Sequence, residues 1–158
     1  GVKGMTLNGD DDEVVGMIAI EDMEKENIMV VSDQGYGKRS NIDDYRITNR
    51  GGKGVKTMNI TDKTGLLVAI KNVTDENDLM IINKSGVVIR LKVTDVRVMG
   101  RATQGVRLIN LGKRNDQIAS VCKVLTSNEE EEINEGEENT ISEIENPVID
   151  DSSENNNE

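Results

Sequence analysis

The sequence predicts an all-β protein, a propeller-like array of about two and a half units of antiparallel strands. Shifted against itself by 51 residues, the chain superposes without a gap Met29 on Met80, Gly35 on Gly86, Arg39 on Arg90, Asp44 on Asp95, Arg46 on Arg97 and Asn59 on Asn110. Chance does not hold one register that long, and periods of about 40 to 50 residues rich in short apolar runs are those of propeller blades. β-Branched residues dominate those runs, which favours strands over helices. The most distinctive stretch, Arg50-Gly51-Gly52-Lys53-Gly54-Val55-Lys56, returns as Arg101-Ala102-Thr103-Gln104-Gly105-Val106-Arg107. A third copy opens the chain, because Gly1-Val2-Lys3-Gly4-Met5-Thr6-Leu7 lies on Gly54-Val55-Lys56-Thr57-Met58-Asn59-Ile60 at an offset of 53. With no Arg before that copy and no initiator Met, the array reads as a piece of a longer polypeptide.

Residues 1–24 read as a half-repeat: a strand over 2–7, a turn at Asn8-Gly9-Asp10 and a second strand over 14–20. Asn-Gly between apolar runs is a hairpin signal, so these two strands are expected to pair. The first complete unit, about 25–73, is expected to hold strands at 28–32, 36–40, 55–60 and 66–71, with turns at Asp33-Gln34-Gly35 and 62–65. The second, about 74–125, repeats the plan with strands at 79–82, 87–91, 106–111 and 118–124. The links 41–53 and 92–104 are longer and carry most of the basic residues. Connections of that kind run over the surface, where binding groups concentrate.

Charge divides the chain into a body, 1–127, and a tail, 128–158. The formal charge of −11 would argue against a nucleic-acid partner if it were evenly spread, but 13 of the 30 acids lie in the tail, which has no Lys or Arg. That leaves 17 acids against 19 bases in the body. A tail full of Glu, Asn and Ser cannot bury enough surface to offset the entropy of ordering, so it is expected to be disordered. Tethered beside basic loops, it would either compete with a polyanion for them or serve only solubility.

With no Phe or Trp and only Tyr36 and Tyr45, the core must be built from Ile, Val, Leu and Met. A single cysteine, Cys122, rules out an intrachain disulfide and suits a reducing cytosol. No apolar run approaches the roughly 18 residues of a membrane span, so a soluble, cytoplasmic protein with no membrane partner is expected.

Several chemistries fall away. The chain has no His, which removes His general acid/base catalysis, His metal ligands and any Ser-His triad. Gly35-Tyr36-Gly37-Lys38-Arg39-Ser40 fails as a phosphate loop, because Ser32 stands where the first glycine is needed and Arg39 where Ser or Thr must follow the Lys. The acidic string 10–13 lacks calcium-loop spacing and reads as a solvated loop.

The basic positions recur. Lys38, Arg39, Arg46, Arg50, Lys53 and Lys56 in one unit correspond to Arg90, Arg97, Arg101 and Arg107 in the next, with Lys92 nearby. Equivalent residues of successive blades would form a row of cations at the blade spacing, which suits double-stranded DNA tracked along its phosphates. Single-stranded binding usually adds aromatic platforms, and this chain has almost none. For Arg46 and Arg97, pairing with Asp44 and Asp95 is the competing reading; for Arg50, Lys53 and Arg101, in loops of glycine and small residues, DNA contact is favoured.

These motifs resemble the C-terminal domain of bacterial DNA gyrase A. The likeness rests on Gly35-Tyr36-Gly37-Lys38-Arg39, Tyr45-Arg46, Arg50-Gly51-Gly52-Lys53-Gly54, Asp78-Leu79-Met80-Ile81-Ile82, Ser85-Gly86 and Gly100-Arg101-Ala102-Thr103-Gln104-Gly105-Val106-Arg107-Leu108-Ile109, and covers residues 1 to about 125. It implies a partial β-pinwheel, a propeller-like ring with strands exchanged between neighbouring blades, that bends duplex DNA around a basic rim to support ATP-dependent negative supercoiling. It further implies a type IIA topoisomerase whose partners are the rest of gyrase A, and gyrase B, in an A2B2 complex. ATP and Mg²⁺ would be used by that holoenzyme, with no cofactor and no catalytic residue in this stretch. The family's diagnostic loop, of Gln-Arg-Arg-Gly-Gly-Lys-Gly type, is only half kept in Asn49-Arg50-Gly51-Gly52-Lys53-Gly54, as in a late blade. The related domain of the A protein of topoisomerase IV and, from another class, a protein-binding propeller scaffold are the alternatives.

Overall fold

Met29 and Val31 on one face of a strand, and Ile28 and Val30 on the other, give an apolar run that can be buried on both sides, and it is: β1 (Asn27–Ser32) is covered along almost its whole length. The computed structural model describes residues 1–111 and 116–126. After β1 come β2 (Tyr36–Asn41), β3 (Leu67–Val73), β4 (Asn77–Asn83), β5 (Val88–Lys92), β6 (Val106–Arg107) and β7 (Ile118–Leu125), with short 3₁₀ turns at Ile42–Asp44 and Val93–Asp95. They form two antiparallel sheets, one ordered β3-β1-β2-β6 and one ordered β5-β4-β7.

The 51-residue repeat is a repeat of register as well as of sequence. Asn27 faces Asn41 in the first hairpin as Asp78 faces Lys92 in the second, and Asn27 faces Val73 where Asp78 faces Val124. Even the irregularity recurs: the β1–β3 ladder shifts between Val31 and Ser32, and the β4–β7 ladder between Ile82 and Asn83.

The core lies between the sheets. Met29, Val31, Ala69 and Val73 from the first meet Leu79, Ile81, Ile118 and Val121 from the second, joined by Val93 and Val96 beside the second 3₁₀ turn. Fully burying a side chain such as Leu79 or Ile81 contributes roughly 1.5–3 kcal/mol. The opposite face of β1, Ile28 and Val30, packs with Tyr36, Ile42 and Met58 in a second cluster. Without Phe or Trp, the packing is aliphatic, as composition required.

Two expectations are corrected. Residues 55–60 carry no strand, and 106–111 form only the two-residue β6, because β6 ladders with β2 of the repeat before it, pairing Tyr36 with Arg107 and Gly37 with Val106. Residues 55–60 hold the same repeat position, so their partner would be a hairpin earlier in the chain, and the described residues before β1 supply none. A lone strand with unpaired backbone groups is not stable in water. The hairpin expected of 2–7 with 14–20 is not formed either, an isolated two-stranded hairpin being marginal in water. Instead, Gly51 N–H donates to Gly4 O and Thr6 N–H to Gly52 O, each at 2.9 Å, while Ile18 and Ile20 pack on the second cluster. The expected disordered tail, 128–158, lies outside the described residues.

Crossing between repeats exposes polar groups that must find partners. Leu108 N–H donates to Gly35 O (2.9 Å), Met99 N–H to Arg39 O (2.8 Å) and Asn59 N–H to Thr103 O (3.0 Å). Beneath them Lys38, 0% exposed, donates from Nζ to Gly100 O (2.7 Å), to Arg101 O and to Thr103 Oγ1 (3.3 Å). Burial pushes its pKa down to about 8, with nearby Arg101 acting in the same direction and Asp44 against it.

The packing between repeats can be probed at two positions. Gly105 sits at φ +83°, and a Cβ there would lie 2.7 Å from Gly37 O, whereas Gly86, at φ +85°, has open space around it. Gly86→Ala should therefore cost about 1–2 kcal/mol for the left-handed backbone alone. Gly105→Ala should cost at least about 1 kcal/mol more, because a strand carbonyl must move. Equal urea midpoints for the two variants would contradict this. For Lys38, the unfolded chain binds the proton between pH 8 and the ordinary lysine pKa of about 10.4 while the folded chain does not, so its contribution makes stability rise with pH across that window. Relative to Lys38→Met, the wild type should gain on the order of 2–3 kcal/mol from pH 7 to pH 10 in urea melts; parallel pH profiles would refute the buried charge.

Candidate nucleic-acid interface

The eleven basic residues singled out in the sequence separate into two groups. Those on strands, Lys92 at the end of β5 apart, are held by protein partners. Lys38, on β2, is enclosed in the junction, which corrects the expectation that it meets DNA: its ammonium serves three oxygens of the 100–103 loop and does not reach the surface. Arg39, with a side chain 11% exposed, pairs through Nη1 with Asp75 Oδ1, and Arg90, one repeat later, pairs through Nε with Asp78 Oδ2 at 2.7 Å. Arg107, on β6, donates from Nη2 to Tyr36 Oη at 3.0 Å and stands 5.5 Å from the centre of that ring. This bond holds the Tyr36 phenol below its ordinary pKa.

Those on the connections are exposed. Arg46, Arg50, Lys53 and Lys56 lie between β2 and β3 and Arg97 between β5 and β6; Lys92, the last residue of β5, is exposed as well. None of the three ion pairs found among the described residues involves Arg46 or Arg97, so the alternative pairing with Asp44 and Asp95 is not formed. Lys56 Nζ donates to Asn59 Oδ1 at 2.8 Å, a neutral partner that leaves its charge uncompensated. The loop of Arg50 is fixed through its backbone to residues 4–6, with Thr6 Oγ1 donating to Gly51 O.

Arg101 joins the two groups. It reaches back across the repeat boundary, donating from Nε to Asp44 O (3.0 Å) and from Nη1 to Lys56 O (2.6 Å). Carbonyls orient a guanidinium without neutralising it. Asp44, Arg46, Val55, Lys56 and Arg101 thereby line one cleft of about 310 Å³. The structure brings Arg46, Lys56 and Arg101 together there, although they come from two repeats.

Sequence reasoning missed Lys63, whose ammonium lies 5.6 Å from the centre of the Tyr36 ring. The one signal for it was the base at the same position of the next repeat, Arg114. Among the described residues no group of three or more His, Cys, Asp or Glu is placed to hold a metal ion, and no helix is long and apolar enough to cross a membrane.

Comparison with known proteins adds ancestry to this geometry. The family described as DNA gyrase C-terminal domain, beta-propeller, matches residues 1–21, 26–74 and 77–122. The A protein of DNA gyrase from Staphylococcus aureus strain MRSA252 is 49% identical over 144 residues, which are 90% of this chain and 16% of that protein. Its counterpart in strain NCTC 8325 is 46% identical over 140 residues, 89% of this chain and 15% of that one. A solved DNA gyrase A C-terminal domain superposes with a TM-score of 0.60 at 26% identity, covering 65% of this chain and 34% of that one. The C-terminal domain of DNA topoisomerase IV gives 0.71 at 22% identity, over 78% and 38%, a likeness of fold alone. The exchanged strand, the repeated register and the extent of these matches lead to one conclusion: the chain belongs to the DNA gyrase C-terminal domain family of beta-propellers.

Proposed function

We propose that this chain is a DNA-binding and DNA-wrapping module of DNA gyrase A, in which exposed cations on the connections between strands hold the phosphates of a bent duplex. The observation that carries this reading is the partition of the basic residues. Of the eleven, Lys38, Arg39, Arg90 and Arg107 sit on strands with protein partners; on the connections, Arg46, Arg50, Lys53, Lys56 and Arg97 face solvent without a carboxylate within ion-pairing distance among the described residues, and Lys92, at the end of β5, is exposed with them. Uncompensated cations repeated along a surface are what a phosphate backbone requires.

Bending a short duplex costs on the order of 1–6 kcal/mol, so several phosphate contacts must be made together to hold it. A row repeated from blade to blade supplies them in series. Within the whole protein, the module would present the bent segment to a DNA gate carried elsewhere in gyrase A. Strand passage driven by ATP hydrolysis on gyrase B, in an A2B2 complex, would then introduce negative supercoils. ATP and Mg²⁺ belong in this reading to other parts of the assembly, in the bacterial cytoplasm. Gyrase is favoured over topoisomerase IV because the relatives at 46–49% identity are gyrase A proteins.

The experiment is duplex binding by anisotropy over a range of salt. The full chain should bind a linear duplex with a log–log salt slope of several units, each phosphate contact contributing about 0.9. Replacing Arg46, Arg50, Lys53 and Arg97 together by Ala should weaken binding by at least tenfold and flatten the slope. Affinity that is independent of salt, or unmoved by the fourfold variant, would defeat the proposal and favour a protein-binding scaffold.

A further inference from the structure

The cleft between the two repeats carries more than the row of cations asks of it. Its three bases come from separate points of the chain, Arg46 and Lys56 from one connection and Arg101 from the next, yet they face a single volume of about 310 Å³. At roughly 30 Å³ for each water, that volume holds about ten waters, room for one phosphodiester group with part of its hydration. Among the described residues the only acid on its wall is Asp44. With Arg46, Lys56 and Arg101 set against it, the cleft keeps a net positive charge.

Its shape is held from below. Lys38, from the first repeat, donates to the carbonyls of Gly100 and Arg101, and Arg101, from the second, donates to the carbonyls of Asp44 and Lys56. The two sets of bonds run in opposite directions across the boundary, so neither repeat can slide without breaking one of them. A guanidinium has five N–H groups, and two of those on Arg101 are committed to these carbonyls. The rest of its donors remain to serve an anion.

We propose that this inter-repeat cleft is a seat for one backbone phosphate of duplex DNA, gripped jointly by Arg46, Lys56 and Arg101, with Lys38 as the positioning residue that sets the third of these against the first two. The proposal rests on the DNA-binding reading and sharpens it: wrapping depends on shared sites assembled between blades as well as on single exposed cations. Asp95, Arg97, Val106 and Arg107 occupy the same positions one repeat later, so the first repeat's wall of the cleft recurs in the sequence.

The test counts phosphates. Salt slopes for duplex DNA are measured on the full chain, its Arg46→Ala and Lys56→Ala variants singly and combined, and Arg46→Ala combined with Arg97→Ala. If Arg46 and Lys56 share one phosphate, the first pair lowers the slope by about 0.9 in all, whereas Arg46 with Arg97, which reach different phosphates, lowers it by about 1.8. Lys38→Met is expected to lose the same 0.9 or so, and adding Arg46→Ala to it should change little more. If Lys38→Met does not fold, Thr103→Val, which removes one acceptor of Lys38, takes its place with a smaller loss in the same direction. Full additivity of Arg46→Ala and Lys56→Ala in a chain that binds duplex would overturn the seat and leave the DNA-binding reading standing. Absence of duplex binding by the unaltered chain would bring down that reading first. Inorganic phosphate alone, followed by NMR of the arginine side chains, separates the sources: signals of Arg46 and Arg101 that shift with phosphate in a chain indifferent to duplex would make this a small-anion site and refute the proposal.

Discussion

A strand of one repeat closing the sheet of the repeat before it is the constraint from which the rest of this molecule follows. β6 adds to β2, and that single act places the 100–103 loop over Lys38, sets Arg101 against Asp44 and Lys56, and leaves the connections as the outer surface. Two residues of ladder are a weak attachment alone, because an isolated pair of strands is marginal in water. The junction is therefore reinforced by charge on carbonyl. Hydrogen bonds with an ionised donor are worth about 1.5–3 kcal/mol each, roughly twice a neutral one.

Burying the ammonium of Lys38 shows which effect wins. Desolvation of a lysine is costly, and its lowered pKa records that cost. A methionine there would avoid it, yet would leave the carbonyl of Arg101 without its donor, while Gly100 O would keep Thr103 N–H and Oγ1. Losing one partner of a buried polar pair costs the full desolvation of the group left behind. The second repeat makes the comparison within the same chain. Ile89 stands at the position of Lys38, on a sheet that no strand from a following repeat closes among the described residues.

The fold was legible because repetition is a property of the whole string. An offset of 51 identifies equivalent strands, bulges and turns without any knowledge of where they lie. What could not be read was which strand pairs with which: residues 55–60 and 106–107 have the same apolar pattern, and only the second has a hairpin before it in the described chain to pair with. The site was half legible for a similar reason. Sequence locates bases but not their burial, so Lys38 and Lys53 look alike in the string while one is enclosed and the other faces solvent.

The open edge of β5 carries the same logic to the remaining cations. β2 is covered by β6, but β5 has no strand on its outer side among the described residues, and its exposed backbone groups would invite pairing with another chain. Val88, Arg90 and Lys92 are the exposed residues of that strand, alternating with the more buried Ile89 and Leu91. Charge on an edge strand opposes association of one edge with another. Lys92 thus has a reason to be basic that owes nothing to DNA, and Arg90 has two, since it also pairs with Asp78. The connections offer no such account for Arg46, Arg50, Lys53 and Arg97. These four support no ladder, pair with no carboxylate among the described residues and protect no edge, so the chain itself gives them no task, which leaves them available for the duplex contact proposed above.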